Sequence, residues 1–457
     1  IMNTKYSFVF KDEASPIITN IDTSHVGFHG IAFSGTINSD LTLKNFDMPY
    51  YLTSTLYVRD GATLTLASGD TIYYHTTSDI QVGSGSEIGN LIADNVHFNG
   101  YYSTNYTSDE LRFLTGSGGS ITNCKFLNLN VYTEKSSPTI ASSEFDNSPI
   151  VISGSPIISD VLVKNSDYIL EFKENANPSL SNIDTLNVTY PGFGLSGSIN
   201  EDFTLRNFGF PYYLISTLYV RDGATLTIAK GNIINHNSSY GFRVGYSANS
   251  IGLLNADSVT FYTDYYYGSQ MEFRYTSQGA LSNCKFDRVK LVIDGASPNI
   301  TNTVFRRNPL AIHVKNGAKP KITYSDFFIN DIALKNESEH KIDAKNNFWG
   351  HYSGPKHVDN PTGIGEVIVG DVDFIPFASS ANSSAFNTEL INDVVGFDSL
   401  TIGETASQFV KVVNKGTADL MIPKSSCSGR SFFVKADFPI WIEPTDTAAL
   451  EVVFAPS

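Results

Sequence analysis

A phrase of twelve residues occurs twice in this chain. Ser54-Thr55-Leu56-Tyr57-Val58-Arg59-Asp60-Gly61-Ala62-Thr63-Leu64-Thr65 returns letter for letter as Ser216-Thr217-Leu218-Tyr219-Val220-Arg221-Asp222-Gly223-Ala224-Thr225-Leu226-Thr227, at an offset of 162. The offset holds upstream, where Asn20-Ile21-Asp22-Thr23 matches Asn182-Ile183-Asp184-Thr185. Downstream it drifts to 160, with Asn123-Cys124-Lys125-Phe126 matching Asn283-Cys284-Lys285-Phe286. Residues 15–160 and 177–325 are thus two copies of one unit. Internal similarity on this scale points to a fold that grows by stacking.

A shorter period runs inside each copy. A phrase of the type Pro-x-Ile/Leu, closed five residues later by a position that is Phe after Pro138, Pro298 and Pro320, starts at Pro16, Pro138, Pro156, Pro178, Pro298 and Pro320. Pro138 and Pro156 are 18 apart, Pro156 and Pro178 are 22 apart, and Leu43 and Leu64 are 21 apart. A period near 20 is a solenoid period. Within it, apolar and polar residues alternate, as in Ala62-Thr63-Leu64-Thr65-Leu66 and Leu281-Ser282-Asn283-Cys284-Lys285-Phe286. Alternation means strands with one buried face. No leucine-rich phrase and no amphipathic helix is present. The expected fold is all-β: a right-handed parallel β-helix whose coils repeat at ~4.8 Å, the hand following from the general preference for right-handed crossovers. Cys124 and Cys284 fall at equivalent inward positions and are expected as small core residues. Asn and Thr between apolar positions are expected to support turns or form ladders.

Charge narrows the partners. Asp and Glu number 46 against 31 Lys and Arg, a net charge of −15. Nucleic acid is excluded, because phosphate binding needs a basic stripe. No apolar run is long enough to span a membrane. The opening residues show no signal peptide, and Ile1 suggests a processed fragment, with further domains of the same chain expected beyond it.

Residues 342–378 hold the densest motif. Asn346-Asn347-Phe348-Trp349-Gly350 is followed by Ser353-Gly354-Pro355, then Val367, Val369, Val372, Phe374 and Pro376-Phe377. This resembles the closing coil of the secreted right-handed β-helix repeat family. The resemblance implies that Phe348, Trp349, Phe374 and Phe377 cover the end of the core, over a β-helix extending from residue 1 to 378. Residues 379–388 are Ser-, Ala- and Asn-rich and read as a linker. Strand-like runs resume at Val394–Phe397, Gln408–Val413, Leu420–Ile422, Ser431–Val434 and Ala449–Phe454. With Asn414, Gly416, Leu420, Phe432 or Phe433, Val453, Phe454 and Pro456, residues 389–457 resemble the truncated form of a small immunoglobulin-like β-sandwich of bacterial secreted proteins. Such domains act as spacers or pre-anchors, which implies an extracellular or cell-surface protein.

Catalytic constellations of β-helix enzymes are missing from the sequence. There is no Asp-Asp pair and no Gly-His-Gly, and Tyr240-Gly241-Phe242-Arg243 lacks the Asp, Pro and His of an epimerase phrase. No catalytic residue is assigned. Arg59-Asp60-Gly61 and Arg221-Asp222-Gly223 could pair an Asp with calcium or an Arg with a uronate, but an Asp-Gly turn is the expected form. Asp40, Asp202, Asp94 and Asp257 are also expected in turns. The histidines lack metal spacing. No cofactor is expected, calcium being the single cation left open.

The binding candidates are tyrosines. Tyr101, Tyr102 and Tyr106 in one copy, and Tyr262, Tyr265, Tyr266 and Tyr267 in the other, occupy matching loops followed by Asp109-Glu110 and by Gln270-x-Glu272. Adjacent tyrosines cannot all point inward from one strand. Exposed rings beside carboxylates and amides suit stacking on sugar rings. Tyr50-Tyr51 and Tyr212-Tyr213 could extend such a face. The expected function is a non-catalytic, adhesin-like extracellular scaffold that binds polysaccharide or a surface protein. The alternative is a polysaccharide lyase, hydrolase or epimerase with a non-standard site. A cleft of clustered carboxylates with Lys or Arg would favour the enzyme; two similar tyrosine patches would favour binding.

Overall fold

In the computed structural model the alternating runs form strands, and the apolar member of each pair turns inward. It describes residues 5–17, 26–75, 78–100, 109–236, 240–264, 269–382, 388–392, 394–416, 420–422, 431–436, 440–443 and 445–456. Among the described residues every regular element is a strand. The fold is an all-β parallel solenoid, with a small antiparallel sheet at the C-terminal end. The chain divides into two compact units, Ile1–Gln278 and Gly279–Ser457.

In the first unit each coil feeds three parallel sheets, each marked by a file of buried side chains. The first sheet carries Tyr50, Ile72, Phe98, Phe126, Phe145 and Val163 inward. The second carries Val58, Val82, Phe113, Thr133, Ile152 and Phe172. The third carries Leu66, Ala93, Ile121, Ile140 and Ile158. Identical residues on successive coils stack, because register places them one strand spacing apart. Phe98, Phe126 and Phe145 show this, with ring centroids 4.7 and 4.6 Å apart and planes within 5° and 2°. Cys124 lies beside them at 1% exposure, and its thiol donates to the Thr122 carbonyl at 3.1 Å.

The second copy is turned by one sheet relative to the first. Phe8, Phe10, Ile31, Phe33, Tyr50 and Leu52 open the first sheet. Their equivalents at offset 162, from Leu170 and Phe172 to Tyr212 and Leu214, extend the second sheet instead. Phe172 lies on Ile152, Leu195 on Phe172 and Leu214 on Leu195.

Turn chemistry follows the residue types. Asn95, Asn123, Asn128, Asn147, Asn165 and Asn187 all take positive φ, which short amide side chains tolerate best after glycine. Some of them ladder: Asn147 Nδ2 donates to Asn128 Oδ1 at 2.8 Å, and Asn187 Nδ2 to Asn165 Oδ1 at 3.2 Å. Asp60-Gly61 and Asp222-Gly223 are the expected turns, with φ of 56° and 60° at the aspartates. Asp40 and Asp202 each accept the backbone N–H of Thr63 and Thr225 at 2.8 Å.

The second unit continues the same grammar. Phe286, Phe305, Phe327 and Trp349 stack at 5.0, 5.2 and 4.6 Å, and Trp349 is fully buried. Cys284 is buried at 1% exposure. Towards its end, Thr388–Ile391, Ala406–Asn414, Thr447–Phe454 and Phe432–Lys435 form an antiparallel sheet, and Leu420–Ile422 pairs with Ile440–Ile442. Buried Asn414 ties this region together, donating to the Ile442 carbonyl at 2.8 Å and accepting the Gly416 N–H at 2.9 Å. Residues 394–397 are not a strand, contrary to expectation. Phe397 instead packs its ring on Phe432 and Phe454, at 5.8 and 5.6 Å. That contact needs a single side chain, not an alternating run.

Candidate binding face

Two clusters of three rings stand at positions related by the offset of 162, each with one exposed ring, although Tyr6 of the first is itself buried at 8% exposure. Tyr6 pairs with Phe28 and Tyr168 with Tyr190, each at the start of a strand. In both pairs the register slips immediately afterwards, between Tyr6 and Phe8 and between Tyr168 and Leu170. Such an irregularity re-aims the side chains beside it. Tyr6 and Phe28 stack at 5.4 Å and 21°, Tyr168 and Tyr190 at 5.3 Å and 18°. Tyr51 leans on Phe28 at 5.3 Å and 52°, and Tyr213 on Tyr190 at 5.5 Å and 51°. The third edges also agree, Tyr6 to Tyr51 at 5.6 Å and Tyr168 to Tyr213 at 6.0 Å. Phe28 is 38% exposed and Tyr190 is 42% exposed, so the clusters reach solvent.

Glycine makes room for these rings. A Cβ on Gly30 would lie 2.5 Å from both the Pro49 carbonyl oxygen and Tyr51 Cε2. A Cβ on Gly192 would lie 2.3 Å from the Pro211 oxygen and 2.7 Å from Tyr213 Cε2. Tyr51 also stacks on Tyr73 of the next coil, at 5.1 Å and 15°. Asn235 takes the place of Tyr73 in the second copy, and Tyr262 follows on the next coil. The Tyr213 and Tyr262 hydroxyls are hydrogen-bonded to each other. Burial, with Tyr262 next in effect, pushes the Tyr213 phenol up to about 12; burial pushes that of Tyr168 up to about 12.

The second cluster belongs to a longer outward file on the second sheet. Tyr57, Gln81, Arg112, Tyr132, Val151, Glu171, Gly194, Tyr213, Asn235 and Tyr262 follow one another coil by coil. Arg112 sits at its charged centre, 2.5 Å from Glu134 Oε1 and 3.2 Å from Glu110 Oε2, with its guanidinium 5.2 Å from the Tyr132 ring. Lys173 Nζ lies 5.6 Å from the same ring. Burial raises the Glu110 acid, against the pull of Arg112; burial likewise raises Glu171, against Lys173. The face thus alternates aromatic rings, carboxylates and two cations.

Of the tyrosines singled out from sequence, Tyr262 lies on this file, half-buried. Tyr101, Tyr102, Tyr106, Tyr265, Tyr266 and Tyr267 lie outside the described residues. Tyr51 and Tyr213 are in the clusters, whereas Tyr50 and Tyr212 point into the core at 0% exposure. Sequence reasoning missed Tyr6, Phe28, Tyr168 and Tyr190. The signal was available: aromatic residues recur at offset 162 for Tyr6 and Tyr168, Phe28 and Tyr190, and Tyr51 and Tyr213. Among the described residues, no group of three or more His, Cys, Asp or Glu is placed to hold a metal ion.

The second unit carries a separate cleft of about 1010 Å³, lined by Phe328, Asn330, Tyr352, Glu366 and Trp441 among others. Asn330 donates to both Glu366 oxygens, at 2.8 and 2.7 Å, and burial pushes that acid up to about 8. Both carboxyl oxygens thus accept from one neighbour, Asn330.

No helix among the described residues is long and apolar enough to cross a membrane. No protein-family model matches the chain, and no curated protein matches it. Among solved structures, the chain is similar to a double mutant of the tailspike protein of E. coli bacteriophage HK620, at 8% identity over 94% of this chain and 87% of that one, with a TM-score of 0.23. The same tailspike in complex with a pentasaccharide is 9% identical over 92% and 86%, with a TM-score of 0.26. A hyper-glycosylated TibA fragment is 11% identical over 74% of this chain and 98% of that one, with a TM-score of 0.22.

Proposed function

We propose that this protein is a non-catalytic extracellular or cell-surface scaffold that binds carbohydrate through its outward aromatic clusters. One observation supports this above the rest: three rings recur in the same geometry in both copies, with Phe28 and Tyr190 substantially exposed. Aromatic faces pack against the C–H faces of sugar rings, while nearby amides and carboxylates take hydroxyls. Tyr101, Tyr102, Tyr106, Tyr265, Tyr266 and Tyr267 would add further rings to the same scheme. Residues 389–457 would serve as an immunoglobulin-like spacer, and residues 342–378 as the closing coil of a secreted β-helix repeat protein.

The test is glycan-array binding followed by calorimetry on the full chain. Replacing Tyr190 by Ala should weaken binding at its own cluster roughly fivefold, since stacking contributes on the order of 1 kcal/mol per ring. Unchanged affinity in variants lacking Tyr190 and Phe28 would remove the proposal.

A second reading, a polysaccharide-cleaving or epimerising enzyme, is favoured by the meeting of Glu110, Glu134, Glu171, Arg112 and Lys173 on one face. Two acids held above their ordinary range suit general acid catalysis. Protein-dependent release of reducing ends, abolished by Glu110→Gln, would establish it over passive binding.

A further inference from the structure

We propose that the two aromatic clusters hold two separate segments of neutral polysaccharide at once, so that the protein cross-links polymer chains. The inference rests on the carbohydrate-binding reading and adds valency, direction and ligand class.

Equivalence of the clusters supports equal ligands. Their stacked pairs differ by 0.1 Å and 3°, from 5.4 Å and 21° to 5.3 Å and 18°. Each has its own supporting glycine, Gly30 or Gly192, and its own register slip. A duplication kept only for stacking coils would need the buried files alone. Here one exposed ring, Phe28 or Tyr190, is repeated as well.

Direction follows from the strand register. Tyr51 stands on the first sheet, in register with Ala32 and Tyr73. Tyr213 stands on the second sheet, in the file that descends through Glu171, Val151, Tyr132, Arg112 and Gln81 to Tyr57. The clusters therefore open on different faces of one unit. Seven coil steps separate them along the second sheet, about 34 Å at ~4.8 Å per step. A polymer lying straight along one face meets one cluster only. Occupying both takes two segments, or one chain bent around the solenoid.

Ligand class follows from the surroundings. Glu171, with Lys173 on the same strand, stands two coil steps from Tyr213, and farther along the same file Asp79, Glu110 and Glu134 outnumber Arg112, within a chain of net charge −15. Uronate polymers are repelled by that balance. Pyranoses whose hydroxyls are all equatorial present flat apolar faces to aromatic rings, so a β-1,4-linked glucan is the probe of choice.

The experiment is calorimetry of cellohexaose into the full chain, with Phe28→Ala, Tyr190→Ala and the double variant. Both positions are partly exposed, and circular dichroism and melting confirm that the variants are folded. Two equivalents of like affinity are expected for the native protein, with one of them weakened several-fold in each single variant and both in the double. Light scattering of soluble hydroxyethyl cellulose should rise with the native protein and rise less with either single variant. A single equivalent in the native protein, or weakening of both equivalents through one substitution, overturns cross-linking and leaves the binding reading standing. No heat from cellohexaose at millimolar concentration overturns the neutral-glucan assignment. If a glycan array also shows no binding, the carbohydrate reading falls with it.

Discussion

The backbone of Gly30 passes beneath the ring of Tyr51, so closely that a Cβ there would fall 2.5 Å from its Cε2 and 2.5 Å from the Pro49 carbonyl oxygen. The carbonyl cannot swing away like a flexible side chain, so Gly30→Ala must displace strand or ring. Overpacking of this kind costs about 1–3 kcal/mol. Gly30→Ala is expected to lower Tm by several degrees and to weaken glycan binding at the first cluster only; Gly192→Ala should do the same at the second. A Gly30→Ala variant with native melting and two full-strength sites would show that the ring is not held by this contact.

Asp70 stands in the first copy where Asn232 stands in the second. The Asn232 amide donates to the Leu205 and Ala229 carbonyls, at 3.1 and 3.0 Å. An ionised carboxylate cannot donate, and neither Asp70 oxygen accepts a hydrogen bond of normal geometry at 2% exposure. Burial pushes the acid up to about 7, against a weaker downward pull from the Ala67 backbone. In the unfolded chain it titrates near 3.9. The folded state thus holds the proton more tightly. Asp70's contribution is fully present below about pH 4, is lost as pH rises towards about 7, and changes no further above that. Asp70→Asn should flatten this fall and raise Tm at about pH 8 by a few degrees, with little effect near pH 4. Melting curves of both proteins across that range decide it; parallel curves would mean that Asp70 is not protonated in the fold.

The Phe98, Phe126 and Phe145 stack predicts a large cost for its middle ring. Phe126 is 1% exposed, with a ring on each side. Phe126→Ala should destabilise by about 3–5 kcal/mol through lost burial and the cavity left behind. Denaturant unfolding measures this, and a loss under about 1 kcal/mol would contradict the stacked core.

Cys124 and Cys284 should behave as core residues, not reactive thiols. Each is 1% exposed, and burial pushes the Cys124 thiol up to about 11. Cys427 lies outside the described residues, so the measurement is made on Cys427→Ser. Aromatic disulfide reagent at about pH 8 should titrate no thiol until denaturant is added, because only an accessible thiolate attacks. Rapid reaction of the native variant would place one of the two at the surface.

The sequence alone determined the solenoid and its duplication, because alternation and a period near 20 are local properties. Phe126 follows Cys124 by two positions, and each must turn inward whatever the neighbouring coil contains. The turns at Asp60-Gly61 and Asp222-Gly223 were legible for the same reason. Residues 394–397 misled because Phe397 is held by distant rings, Phe432 and Phe454, not by alternation. Only the tertiary structure could join Tyr6, Phe28 and Tyr51, which lie 22 and 23 residues apart in the chain yet touch across successive coils. It alone decided that Tyr51 and Tyr213 face different ways. Their sequence contexts are nearly identical, and their directions depend on which neighbouring strand each coil pairs with, a choice made by inter-coil hydrogen bonding and the stacking of Phe172 on Ile152.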